Sequence, residues 1–107
     1  MSVYALNLFN LAGNDLYRQY SRRAVDAVGK HGGRVVSLGR LSAEAPSTGG
    51  EPRQVMVLVE WPSSDAFRAF LDDPENHDLH PLREGGTTDY LWWAYDRLED
   101  LRPLFTS

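Results

Sequence analysis

The chain has 107 residues, 42% of them hydrophobic, 24% charged and 11% aromatic, which is the composition of one globular domain over 1–107 rather than of a disordered or fibrous chain. It has no cysteine, which excludes a disulfide framework, a thiolate metal site, an iron–sulfur cluster and a cysteine nucleophile. A formal net charge of −4 gives no electrostatic pull toward nucleic acid, and the apolar runs fall short of the ~20 residues that a membrane span needs.

The first residues, Met1-Ser2-Val3-Tyr4, lack the basic and long apolar regions of a signal peptide, so a cytoplasmic location is expected. Val3 to Asn10 is apolar on both parities and reads as a central strand. Asn14 or Asp15 can cap the helix that follows. From Leu16 the period is helical, with Leu16, Tyr20, Ala24, Ala27, Val28 and His31 on one stripe, and Gly32-Gly33 as the stop. Arg18, Arg22 and Arg23 lie mostly outside that stripe, as a solvated surface. Arg34 to Leu41 is a second strand, with Gly39 as a candidate bulge. Ser42 to Pro52 is rich in small and turn-forming residues and reads as a flexible hairpin loop over 42–52. Arg53 to Trp61 is the clearest strand, with Val55, Val57 and Val59 on one face and Met56, Leu58 and Glu60 on the other.

Pro62-Ser63-Ser64-Asp65 starts a second helix with the stripe Ala66, Phe67, Phe70 and Leu71. This helix should end near Asp72, because Pro74 disfavours helical geometry at Asp73. A short turn capped by Asp73 is expected to run to about His80 and to be closed by Pro81, with Gly85-Gly86 as a turn. Asp89 to Tyr95 is the last strand, followed by a short tail to Phe105.

The order strand, helix, strand, strand, helix, strand predicts a ferredoxin-like α+β fold. Four antiparallel strands carry two helices on one face. Leu6, Leu8, Val55, Val57 and Val59 are expected under the helices. Val3, Ala5, Asn7, Phe9, Met56, Leu58 and Glu60 are expected on the open face. A face that apolar is anomalous on a monomer, so the sequence predicts a homodimer packed sheet to sheet.

Several side chains suit chemistry. Asn7 is polar on an otherwise apolar strand, and an oriented amide can bind a carbonyl or position oxygen; the alternative is a hydrogen-bonded structural amide. Glu60, desolvated on the same predicted face, can act as a general base, or can pair with Arg83 to fix the segment after the second helix. His77 and His80 share a face on a helical turn. No third ligand converges with them, so they read as proton shuttles or surface residues and no metal is expected. Trp92 and Trp93 must point to opposite faces of the last strand, and one of them suits a flat organic ligand. Tyr17 and Tyr20 read as packing residues. No Gly-rich turn follows a strand with the spacing of a phosphate-binding loop, so no cofactor is expected. The predicted catalytic set is Asn7, Glu60, His80 and Arg83, and the predicted binding set is Phe9, Met56, His77, Trp92 and Trp93.

Three segments carry a resemblance: His31-Gly32-Gly33-Arg34 leading into Gly39-Arg40, then Val59 through Phe67 (VEWPSSDAF), then Asp73-Pro74-Glu75 followed by Leu82-Arg83-Glu84. In order and spacing they resemble a small, poorly characterised family within the dimeric α+β barrel superfamily, although Asn76 stands where that family usually has an aromatic residue. The superfamily also holds antibiotic-biosynthesis monooxygenases, haem-degrading monooxygenases and muconolactone-type isomerases. The resemblance implies two ferredoxin-like sheets paired around a cavity. It also implies cofactor-independent oxygenation, isomerisation or cyclisation of an aromatic or polyketide-like small molecule; from residue type and predicted facing, Glu60 or a histidine would remove a proton while Asn7 and Arg83 hold the resulting oxyanion. The alternative is a non-catalytic ligand-binding or structural dimer. A further alternative is a haem-binding or haem-degrading protein: the haem degraders resemble this chain at Asn7 and His80, but Phe70 stands where they carry the tryptophan that distorts haem.

Overall fold

The computed structural model describes residues 1–105. Strand β1 (Val3–Leu11) leads to helix α1 (Leu16–Lys30), strands β2 (Arg34–Arg40) and β3 (Val55–Trp61), helix α2 (Ser64–Asp72), a single 3-10 turn (Pro74–Asn76), helix α3 (Leu79–Gly86), strand β4 (Thr87–Asp96) and a terminal helical turn α4 (Arg102–Phe105). The local chemistry explains these limits. Asn14 Oδ1 accepts the Leu16 N–H at 3.0 Å at the start of α1. At its end the Gly33 and Gly32 N–H groups reach the carbonyls of Val28 and Gly29, each at 3.0 Å, with Gly32 at φ +82°. This is the paired closure that a left-handed residue allows. Ser63 accepts the Ala66 N–H at 3.0 Å and opens α2. Asp73, held extended before Pro74, ends α2 and accepts the Glu75 N–H at 2.9 Å.

Two sequence expectations fail at α3. Pro81 does not close a turn; it lies in the first turn of α3, where a missing N–H leaves no helical hydrogen bond unmade. Gly85 and Gly86 are the last residues of that helix rather than a loop. They are there for space. A Cβ on Gly86 would stand 2.4 Å from the Tyr17 backbone nitrogen, and one on Gly85 2.9 Å from the Leu16 side chain. The Gly86 carbonyl also accepts the Ala12 N–H, and the Gly85 carbonyl the Asn14 side-chain amide, both at 3.0 Å.

The sheet is antiparallel in the order β2-β3-β1-β4. One helical layer covers one face, which accounts for the molecule's thickness of 18 Å. The pairing corrects the expected facing of β1. Ala5 lies opposite Val59, Asn7 opposite Val57 and Phe9 opposite Val55. Cross-strand partners share a face, so Val3, Ala5, Asn7 and Phe9 lie under the helices, and Leu6 and Leu8 lie on the open face with Met56, Leu58 and Glu60. Both parities of β1 are apolar, so alternation alone could not decide between them. Register shifts fall at Val36, not at Gly39, and between Leu8 and Asn10, where β4 turns through Asp89 at φ +53°. Aspartate tolerates that left-handed region better than most residues. The core joins Ala5, Val28, Val59, Trp61 and Phe70.

Substitutions at two helical glycines are expected to have opposite signs. Gly86→Ala drives a Cβ into backbone and should destabilise by about 1–3 kcal/mol. Nothing lies within 4 Å of a Cβ on Gly29, so Gly29→Ala should be neutral or stabilise by up to about 1 kcal/mol; urea titration of both variants checks this. A second expectation concerns acid. The Glu75 N–H, the His31 ring and the Lys30 ammonium hold the Asp73 carboxyl at about 2, below the ordinary 3.8. A depressed carboxylate stabilises the fold above its ordinary value, and that contribution disappears as pH falls toward and through about 2. Asp73→Asn should therefore show a shallower loss of stability between pH 3.8 and about 2, read by denaturant midpoints across that window.

Candidate functional site

Helix α1 is held against α3, and α2 lies over β3. A cavity of about 790 Å³ lies between α1, α2 and the sheet, within the range of about 300–1,000 Å³ usual for small-molecule sites. Its floor includes Ala5, Asn7, Val57 and Val59, its wall Tyr20, Ala24 and Val28 from α1 and Phe67 and Phe70 from α2, and its rim the exposed Val25, Val35 and Leu38. The volume follows from residue size, because Ala5 and Asn7 are small where the covered strand face could have carried larger side chains.

One end of the cavity is polar. Asn7 Nδ2 donates to the Ala5 and Val57 carbonyls, both at 3.2 Å, and its Oδ1 accepts the Tyr90 O–H at 2.6 Å. Tyr90 stacks on the fully buried Phe9, ring centroids 4.9 Å apart, and Phe9 packs on Tyr17 at 4.8 Å. The Arg83 guanidinium lies 5.7 Å from the Tyr90 ring centroid, a cation–π distance. Tyr20 lines the cavity with Arg83, whose charge acts on its phenol. Burial pushes the Tyr17 phenol up to about 12, with Tyr20 beside it adding to the shift. Burial also raises Tyr20 and Tyr90, while Arg83 partly opposes the rise in all three. These tyrosines are therefore neutral hydrogen-bonding groups at physiological pH. A smaller cleft of about 270 Å³ shares Arg83, Tyr90 and Trp92 with the cavity and continues to Glu84, Thr87 and Asp89.

The structure brings together Asn7, Arg83 and Trp92 of the expected site residues, with Met56 at the cavity's border, and separates the rest. Trp92 lines the cavity and meets Phe67 edge-on at 5.4 Å, whereas Trp93 points to the open face and is 56% exposed. Glu60 is on the other face of the sheet from Asn7, because the parity of β1 is the reverse of that expected. It pairs with Arg34 at 2.7 Å and Arg97 at 3.3 Å, not with Arg83. The nearest carboxylate to Arg83 is Glu84, at 3.9 Å. Met56 borders the cavity, but its side chain reaches over Gly39, within 3.2 Å of where a Cβ there would sit. Phe9 supports Tyr90 from beneath instead of lining the space. His80 Nε2 is 3.2 Å from the Leu71 carbonyl, and His77 is exposed after the 3-10 turn. Among the described residues no three side chains converge as a metal site, and no helix is long and apolar enough to cross a membrane. Tyr17, Tyr20 and Tyr90 are the residues that sequence reasoning undervalued. Tyr17, Tyr20, Ala24 and Val28 do follow a helical spacing, but only the contact with α3 shows that this stripe ends at Arg83.

No curated protein sequence matches the chain. Among solved structures, RPA0582, a protein of unknown function from Rhodopseudomonas palustris, superposes with TM-score 0.80 at 21% identity over 92% of this chain and 84% of that one. SnoaB, a cofactor-independent oxygenase from Streptomyces nogalater, gives 0.67 at 17% over 94% and 97%. A dimeric ferredoxin-like protein of unknown function from Thermobifida fusca YX gives 0.57 at 16% over 91% and 92%. These likenesses establish the ferredoxin-like fold. Residues 2–93 match the family described as a domain of unknown function, DUF1330, and the chain belongs to that family.

Proposed function

We propose that this protein is a homodimer that binds a flat, aromatic or polyketide-like small molecule in the cavity between its sheet and helices. The cavity carries the reading: it is apolar over most of its wall and polar at one end, the usual form of a small-molecule site. The dimer rests on the opposite sheet face, where Leu6, Leu8, Leu58 and Leu91 are only half-buried, Trp93 is 56% exposed and Tyr95 52%. A second copy would cover that face, and a structural neighbour is described as dimeric. Light scattering should return twice the chain mass of 12.1 kDa, and Trp93→Glu should shift the population to monomer; a monomeric wild type sinks the dimer.

Binding is read with alizarin dimethyl ether, a neutral tricyclic probe, through quenching of tryptophan fluorescence. Saturable binding is expected. Trp92→Ala should weaken it about two- to tenfold, since an aromatic contact contributes about 0.5–1.5 kcal/mol. Absence of saturation in the wild type would remove the reading.

A second reading, cofactor-independent oxygenation, is supported by the fold shared with SnoaB and by the ordered Asn7–Tyr90 pair. With an anthrone, the ring CH₂ would become a carbonyl, one oxygen atom of O₂ entering the product and the other leaving as water with the two hydrogens. Oxygen uptake with anthrone should fall at least tenfold in Asn7→Ala, which releases Tyr90. Equal uptake with and without the wild-type protein counts against catalysis and leaves binding as the function.

A further inference from the structure

We propose that Arg83 and Tyr20 form a donor pair that holds one ionised oxygen, so that the cavity takes its ring ligand as the anion of a phenol, enol or carboxylic acid. The proposal rests on the cavity reading above and specifies its ligand class.

Four observations carry it. First, the Arg83 side chain is only 19% exposed, and the sole carboxylate within ion-pair distance among the described residues is Glu84, at 3.9 Å and itself 71% exposed. A largely buried guanidinium without a close counter-charge is unfavourable, and an anion in the cavity would supply one. Second, the neighbouring polar groups are committed. Asn7 Nδ2 donates to two carbonyls and the Tyr90 O–H donates to Asn7, so neither offers a free donor. Third, Tyr20 lines the same cavity as Arg83 and lies within its electrostatic influence, so its O–H can donate alongside the guanidinium N–H. A charge-assisted pair of this kind is stronger than two neutral bonds. Fourth, none of the described residues that line the cavity is a carboxylate, so no fixed negative charge there repels an anion.

The titratable and charged groups around the pair are Tyr17 on α1, Tyr90 on β4 and Glu84 on α3, with Asp89 in the smaller cleft that shares Arg83. Arg34, at the cavity edge, is bound to Glu60 on the other sheet face. Burial raises the tyrosine phenols, so they remain uncharged while a more acidic ligand ionises. The ligand's proton goes to solvent, since no cavity group can take it.

The test compares alizarin, whose ionisation is visible by absorbance, with alizarin dimethyl ether, which cannot ionise. On the wild-type protein the apparent pKa of bound alizarin should fall at least one unit below that of the free dye. Arg83→Met should abolish that shift and raise the alizarin Kd at least tenfold while leaving the ether's Kd within about twofold. Arg83→Lys should recover part of the shift, and Tyr20→Phe should reduce it. A bound pKa equal to or above the free value, or equal weakening of both probes by Arg83→Met, overturns the proposal while the cavity reading stands. If neither probe binds the wild type, the cavity reading falls and the proposal with it.

Discussion

The approach of Gly86 to the backbone of Tyr17 sets the geometry of the helical layer. No side chain fits at that point, where an added Cβ would stand 2.4 Å from a backbone nitrogen. The contact clamps the end of α3 to the first turn of α1, and the Ala12 N–H closes it by bonding the Gly86 carbonyl. Tyr17 and Tyr20 are thereby carried toward Arg83, which lies one turn before Gly86. The same clamp fixes α1 beside α3, and the cavity lies between α1, α2 and the sheet, with β2 at its rim.

The sheet separates two roles by parity. On its covered face, Ala5 and Asn7 leave room, and Phe9 stacks under Tyr90 to fix the phenol. On its open face, large apolar side chains surround a single acid, Glu60, only 8% exposed and bound by two arginines. Removing either face's pattern by a one-residue slip would invert both roles at once. The Val36 and Asp89 irregularities sit on the outer strands, whereas β1 and β3 pair without a break from Val3 to Phe9, which keeps the register of the central pair fixed.

Much of this was legible in the sequence. The six-element order, the Ser63 cap, the Gly32 stop and the separation of Trp92 from Trp93 follow from period and capping chemistry. The facing of β1 was not, because Val3, Ala5, Asn7 and Phe9 are collectively about as apolar as Tyr4, Leu6 and Leu8, and only pairing with the alternating β3 distinguishes them. Glu60 looked like a cavity base for the same reason. The end of α3 was misread because glycine signals a turn when it is needed for backbone freedom, and here it is needed for space. Tyr17 and Tyr20 looked like packing residues because their partner, Arg83, is more than sixty residues away in sequence, on an element whose boundaries Pro81 obscured.

The residues that do meet limit the chemistry more than any motif did. With Glu60 on the opposite face and His80 turned to the Leu71 carbonyl, the polar groups lining the cavity are an amide, phenols, the Ser21 hydroxyl and two guanidiniums. None of these is a proton acceptor at neutral pH: the guanidiniums stay protonated, the amide and the hydroxyl are not basic, and burial raises the phenols. General-base catalysis by a cavity side chain is thus unsupported by the site as built. What remains is stabilisation of charge that the ligand itself develops, in surroundings where a fixed donor counts for more than it would in water. Asn7 holds Tyr90 in place beside the guanidinium, and in the proposed reading Arg83 is the group that would face a ligand's ionised oxygen.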